Sequence, residues 1–298
     1  MFGGIVTAEG WIVYKMLKGI QEMCKNCKKR KVCSMKLGFI GTGNMASAIM
    51  GGVIKNEIFA ANEIIGADLF APGREKVKAQ FGINVTADNK EVIANSEVVV
   101  LSVKPQFYES VITEVKDLVR EDQIIITIAP GKTLAWLADK FGKNVKIVRT
   151  MPNTPAMVGA GMTAVCPNEF VTTDELEYVK KILGSFSLVE VVPEKLMDTV
   201  TAVSGSSPAY VYMFIEAMAD AAVLGGMPRQ QAYNFAAQAV LGSAKMVLET
   251  GMHPGALKDM VCSPGGTTIE AVRTLEALGF RSAVIEAMKV CEDKSRSL

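Results

Sequence analysis

From Lys36 onward, short apolar runs alternate with longer segments whose apolar residues recur at helical spacing. KLGFIG, EIIGAD, EVVVLSV, QIIITIA and KIVRTM predict strands, while ASAIMGGVIK, FYESVITEVKDLV and TLAWLADKF predict helices between them. Strand and helix in alternation imply a parallel sheet covered on both faces. Two further apolar runs, GMTAVC and LVEVV, are expected to extend that sheet at one edge. After about Pro193 the strand pattern stops. Pro208 then opens a helix that runs to LGG at 224–226, and Pro228 opens another through Thr250, since proline fits a first helical turn and glycine a helix end.

These late helices have little polar surface. No charged residue lies between Arg229 and Lys245, and the preceding helix carries only Glu216 and Asp220, one turn apart. Helices that are apolar nearly all round need burial on several sides, which about 100 residues rarely provide alone. A homodimer built on this half is the expectation.

Composition narrows the ligand. With 49% hydrophobic residues, 21% charged residues and a net charge of +1, the chain suits neither disorder nor electrostatic capture of nucleic acid, so a small molecule is expected. No stretch reads as a membrane span or a cleaved secretory signal, and the six cysteines lack a framework spacing. Reduced thiols in the cytoplasm follow. Residues 1–34 differ in kind, with seven Lys or Arg against two Glu, and read as an extension upstream of a natural start at Met35. Cys24, Cys27 and Cys33 offer three thiolates where a structural zinc site takes four ligands, so no metal is expected. The domains expected are residues 35–195 and residues 196–298.

The first candidate site is GTGNMA. Gly41, Gly43 and Ala46 follow a strand and open a helix, the context in which a dinucleotide's pyrophosphate meets backbone N–H groups at a helix N-terminus. The first domain is therefore expected to be a Rossmann-type α/β domain. At the end of the second strand, Asp68 suits a ribose hydroxyl and favours NAD, whereas Arg74 suits a 2′-phosphate; residue chemistry alone leaves the two open. The fourth strand ends SVKPQ and the fifth IAPG, both at the carboxyl edge where an open sheet meets its ligand. Lys104 there is a candidate proton donor, or a phosphate contact.

Reducing a ketone requires a positioned acid, and the chain is poor in them. Its one histidine, His253, lies in a GMHPG turn, where local hydrogen bonding is the expected role, and no lysine lies between Pro208 and Gly226. An imine brings its own proton. It needs instead a donor-rich cradle for a carboxylate and a hydroxyl near the ring nitrogen. SPGGTT at 263–268 can supply both, through glycine N–H groups, the following helix N-terminus, and the hydroxyls of Ser263, Thr267 and Thr268. The same letters also fit an ordinary capping turn, in which Thr267 or Thr268 and Glu270 start a helix.

Taken together, GFIGTGNMASAI, LSVKPQ, RTMPNTPAMVGAGMTA, VSGSSPAYVYMFIEAMADAAVLGGMPR, HPGALKDMVCSPGGTTI and LEALGFRSAVIEAM resemble the pyrroline-5-carboxylate reductases, from Met35 to Leu298. The resemblance implies a Rossmann domain, a C-terminal helical domain interleaved between partners of a dimer, and dimers assembled into rings. It implies hydride transfer from NADPH, or NADH in some members, to C5 of 1-pyrroline-5-carboxylate, giving L-proline. By motif position, Ile40, Gly41, Thr42, Gly43, Asn44, Met45, Asn89, Val103, Lys104 and Pro105 contact the cofactor, and Asp68 and Gly131 are further candidates for that site. Ser263, Gly265, Gly266, Thr267 and Thr268 hold the substrate, with the Thr268 hydroxyl near the imine nitrogen. Ser207, Asp68 and Pro130 depart from the family pattern, where glycine, a small polar residue and a small residue are usual. Two rival readings remain: a beta-hydroxyacid dehydrogenase, which expects a lysine on the cleft helix, and a cofactor-binding sensor without turnover.

Overall fold

The computed structural model describes residues 35–297. Cys24, Cys27 and Cys33 lie outside them. Eight strands form one sheet in the order β3-β2-β1-β4-β5-β6-β7-β8. The strands are β1 (Met35–Ile40), β2 (Ile64–Ala67), β3 (Asn84–Thr86), β4 (Ser96–Leu101), β5 (Ile124–Thr127), β6 (Lys146–Met151), β7 (Gly161–Pro167) and β8 (Ser187–Val191). Around them lie α1 (Asn44–Lys55), α2 (Ala71–Phe81), α3 (Asn89–Asn95), α4 (Tyr108–Val115), α5 (Leu134–Phe141) and α6 (Thr173–Leu183).

Alternation along the strands sorts side chains to two faces. Leu37, Phe39, Val98, Val100 and Ile126 pack with Ile49 and Val53 of α1 and Ile182 of α6. Ile40, Val99, Leu101 and Ile125 pack on the other face with Ile112 of α4 and Leu137 of α5. The continuous apolar strands of the sequence are thus buried on both sides.

One expectation needs correction. β7 runs antiparallel to β6, and β8 follows β7 in parallel, so the far edge is mixed. The cause is the connection at 152–160, which holds only a single-turn helix, Thr154–Val158, whereas a parallel return needs a crossover of about a dozen residues or more.

After Leu196 the chain is helical: α7 (Met197–Val200), a π-helical segment (Thr201–Ser206), α8 (Ser207–Leu224), α9 (Arg229–Thr250), α10 (Pro254–Val261), α11 (Thr267–Ala277) and α12 (Phe280–Arg296). Thr201, Ser204 and Ser207 each donate a hydroxyl to the carbonyl four residues earlier, a pattern that bends helices, and here it frames the π segment. Ser207 is thereby satisfied at the start of α8. Polar ties at the junction hold this half to the sheet, one just before it and one across it. Glu194 Oε1 accepts from buried Arg149 (2.8 Å) and from the Leu134 N–H (2.6 Å), and Asn153 donates to the Ser204 carbonyl (3.1 Å).

The helical half buries little of itself. Ala219 is the buried residue of α8, and Ala232 and Ala236 those of α9, while Met213, Phe214, Leu224, Phe235 and Leu241 are exposed. An exposed apolar surface on this scale marks an interaction face.

Candidate active site

The sheet's order reverses between β1 and β4, and the cleft outside their carboxyl ends is where open α/β sheets take ligands. Gly41 turns the chain there at φ +97°, its N–H donating to the Ala67 carbonyl (2.7 Å); a Cβ would stand 2.7 Å from the Ser102 carbonyl oxygen. Gly43 has a different duty. It caps α1 from an extended conformation with no side-chain bond, and a Cβ placed on it meets nothing within 4 Å. The helix N-terminus therefore faces open space bordered by backbone donors, which fits a pyrophosphate. Ala46, buried beneath the loop, lets helix and strand pack closely.

Ser102 binds this loop to the next one, donating its hydroxyl to the Gly41 carbonyl (2.6 Å) and its N–H to the Ile40 carbonyl (2.8 Å). It sets Val103, Lys104 and Pro105 beside the glycines. Sequence reasoning passed over Ser102; its signal was a hydroxyl placed directly after a strand and before a proline turn. Lys104 is exposed and has no carboxylate partner among the described residues. Tyr108, fully buried, donates to the Leu101 carbonyl (2.5 Å) and accepts from the Ile128 N–H (3.2 Å), fixing the ends of β4 and β5 to one another. Burial pushes its phenol well above the ordinary range, against the opposing backbone bonds of Ile128 and Ala129. Pro130 and Gly131, the latter at φ +73°, turn the chain after β5.

Two expected cofactor contacts point elsewhere in part. The Asp68 carboxylate is occupied by the glycine-rich loop, with Oδ2 accepting from Thr42 N–H (2.8 Å) and Thr42 Oγ1–H (3.0 Å). Asn89 is buried at the start of α3 and donates its amide to Glu114 on α4 (2.9 Å).

The second cluster is the loop before α11. Gly265 adopts φ +65°, the Gly266 N–H donates to the Ser263 carbonyl (3.0 Å), and a Cβ on Gly266 would stand 2.4 Å from Ser263 Oγ. The helix does start at Thr267, but the side-chain cap expected from Thr267 or Thr268 with Glu270 does not form. Gly266 is the cap residue and supplies no side chain, while Glu270 pairs with Arg273 (3.1 Å). Among the described residues nothing bonds the Thr267 and Thr268 hydroxyls. His253 caps α10, its Nδ1 accepting from the Gly255 N–H (3.0 Å), as expected for a structural histidine.

The two clusters are not joined within one chain. The 263–266 loop is largely exposed, and no described hydrogen bond links it to the sheet half. A cleft of about 840 Å³ does lie between the halves, bordered by Pro130, Met151, Ser206, Tyr210 and Cys291.

Comparison with known proteins places this geometry. A family model described as pyrroline-5-carboxylate reductase dimerisation matches residues 194–298, and one described as NADP oxidoreductase, coenzyme F420-dependent, matches 36–131. The pyrroline-5-carboxylate reductase of Escherichia coli is 54% identical over 88% of this chain and 98% of its own length. This chain belongs to the pyrroline-5-carboxylate reductase family. A relative of the same name from Methanosarcina acetivorans is 42% identical over 89% of the chain and 98% of its own length. A solved pyrroline carboxylate reductase from Plasmodium falciparum, with NADP bound, superposes at TM-score 0.81 and 33% identity, covering 89% of this chain and 98% of that one. The match at 36–131 includes the glycine-rich loop, and the match at 194–298 includes SPGGTT.

Proposed function

We propose that this chain reduces 1-pyrroline-5-carboxylate to L-proline with NAD(P)H, using the two clusters in separate roles. Gly41 to Met45 hold the pyrophosphate, Val103 to Pro105 and Gly131 border the nicotinamide, and Ser263 with Gly265 to Thr268 hold the substrate carboxylate and ring nitrogen. Bound reduced nicotinamide supplies the hydride that converts the C=N carbon to CH–NH. The chain's own task is placement. A protonated imine needs no strong acid, which accords with His253 serving as a cap and with α8 lacking lysine.

One observation carries the reading most: α11 begins at a glycine cap without a side-chain bond, leaving its first N–H groups and the Thr268 hydroxyl available to an anionic ring. Domain limits of 35–195 and 196–298 follow the change from strands to helices near Glu194. The exposed apolar faces of α8 and α9 support a homodimer through the C-terminal helices, with dimers assembling further into a ring. Free Cys166, Cys262 and Cys291 suit the cytoplasm. Sedimentation as a monomer at micromolar concentration would contradict the dimer.

The test is Thr268→Ala. It should lower kcat for the imine about tenfold or more while the KM for NADPH moves less than about twofold, with Thr268→Ser restoring most turnover. Equal losses in both steps would remove Thr268 from the substrate role.

A further inference from the structure

Asp68 stands where a ribose-binding carboxylate is expected, yet both its oxygens already serve the protein. Oδ2 takes two donors from Thr42, at 2.8 and 3.0 Å, and Oδ1 takes the Phe70 N–H at 2.9 Å. Its main-chain carbonyl accepts from Arg74 Nη1 at 2.5 Å. A single side chain therefore spans the glycine-rich loop and the connection from β2 to α2, with Thr42 buried beneath it.

Only a carboxylate meets this demand. Two backbone N–H groups approach two different oxygens, so an amide in the same place would turn its NH₂ toward one of them, donor against donor. Arg74 differs. It has no carboxylate partner among the described residues, and its Nε and Nη2 make no described hydrogen bond. Its guanidinium is held beside Asp68 at the connection from β2 to α2 with donors to spare, in the planar geometry that suits a phosphate.

We propose that Asp68 is a positioning residue which braces the glycine-rich loop for either nicotinamide dinucleotide, and that the 2′ group of the cofactor is distinguished by Arg74. This rests on the dinucleotide reading of the loop, and the experiment separates the two. Dissociation constants for NADPH and NADH are measured on the full chain by nicotinamide fluorescence, without imine, for the natural protein, Asp68→Asn, Asp68→Ser and Arg74→Ala.

Both Asp68 variants should weaken NADPH and NADH alike, by about fivefold or more, with the ratio of the two constants changing less than about threefold. Arg74→Ala should weaken NADPH about fivefold and NADH less than about twofold. If the Asp68 variants fail to fold, Thr42→Val removes one donor of the same junction and must shift both constants in one direction. Tighter NADPH with weaker NADH in Asp68→Ser would overturn the inference and leave the cofactor site standing. Failure of the natural protein to bind either dinucleotide would overturn the functional reading itself.

Discussion

Gly41 and Gly43 are two residues apart in one loop, and the structure assigns them opposite consequences on mutation. In Gly41→Ala the new methyl would meet the Ser102 carbonyl oxygen at 2.7 Å and the Val103 nitrogen at 2.9 Å, both backbone atoms that cannot swing aside, at a φ of +97°. The backbone conformation costs an alanine about 1–2 kcal/mol and the overpacking about 1–3 kcal/mol more. At about 2–4 °C per kcal/mol for a domain of this size, the melting temperature should fall by about 4 to 20 °C. In Gly43→Ala the methyl enters open space from an extended conformation, so stability should stay within about 0.5 kcal/mol. That same space is where the pyrophosphate must approach the backbone, so the dissociation constant for NADPH should rise at least about tenfold, or about 1.4 kcal/mol. Thermal unfolding without cofactor and fluorescence titration with NADPH read the two effects separately. Unaltered NADPH binding by Gly43→Ala would refute the placement of the pyrophosphate, and unaltered melting of Gly41→Ala would refute the steric argument.

Tyr108→Phe should destabilise the sheet half by about 1–3 kcal/mol in urea titrations, because the part-buried Ile128 N–H loses its acceptor and the buried Leu101 carbonyl its donor. The raised phenol adds a pH signature: above about pH 10 the unfolded chain ionises this tyrosine and the native one does not, so stability falls with rising pH and the variant should show a shallower fall. On the acid side, burial alone would raise Glu175, but the Lys146 ammonium and the Thr172 hydroxyl and N–H outweigh it and hold the carboxyl below its usual range. Its contribution is therefore present above about pH 4 and lost as pH falls through the lower folded value, so the stability gap between the natural protein and Glu175→Gln should close in acid. A gap independent of pH would contradict that pairing.

Periodicity carried most of the fold because strands buried on both faces and helices with one apolar stripe leave different traces. The glycine-rich loop was legible for the same reason, since strand, turn and helix agree across Ile40 to Met45. β3 was not, for three residues at a half-exposed edge make no pattern. The antiparallel β7 was hidden because direction depends on the length of a connection rather than on the strand's own letters. Asp68 and Asn89 show a further limit. Their positions along the chain were readable, but the Thr42 N–H and the Glu114 carboxylate that their side chains meet come from elements 26 and 25 residues away. SPGGTT read equally as cap or cradle, and its letters did not show that the cap residue would be Gly266, which has no side chain to offer.

The most direct test of the account is to follow reduced-nicotinamide absorbance on adding 1-pyrroline-5-carboxylate, with NADPH and NADH in parallel and proline assayed in the product. The account predicts loss of absorbance matched mole for mole by proline with at least one of the two cofactors. Binding of both cofactors with no loss of absorbance would contradict it.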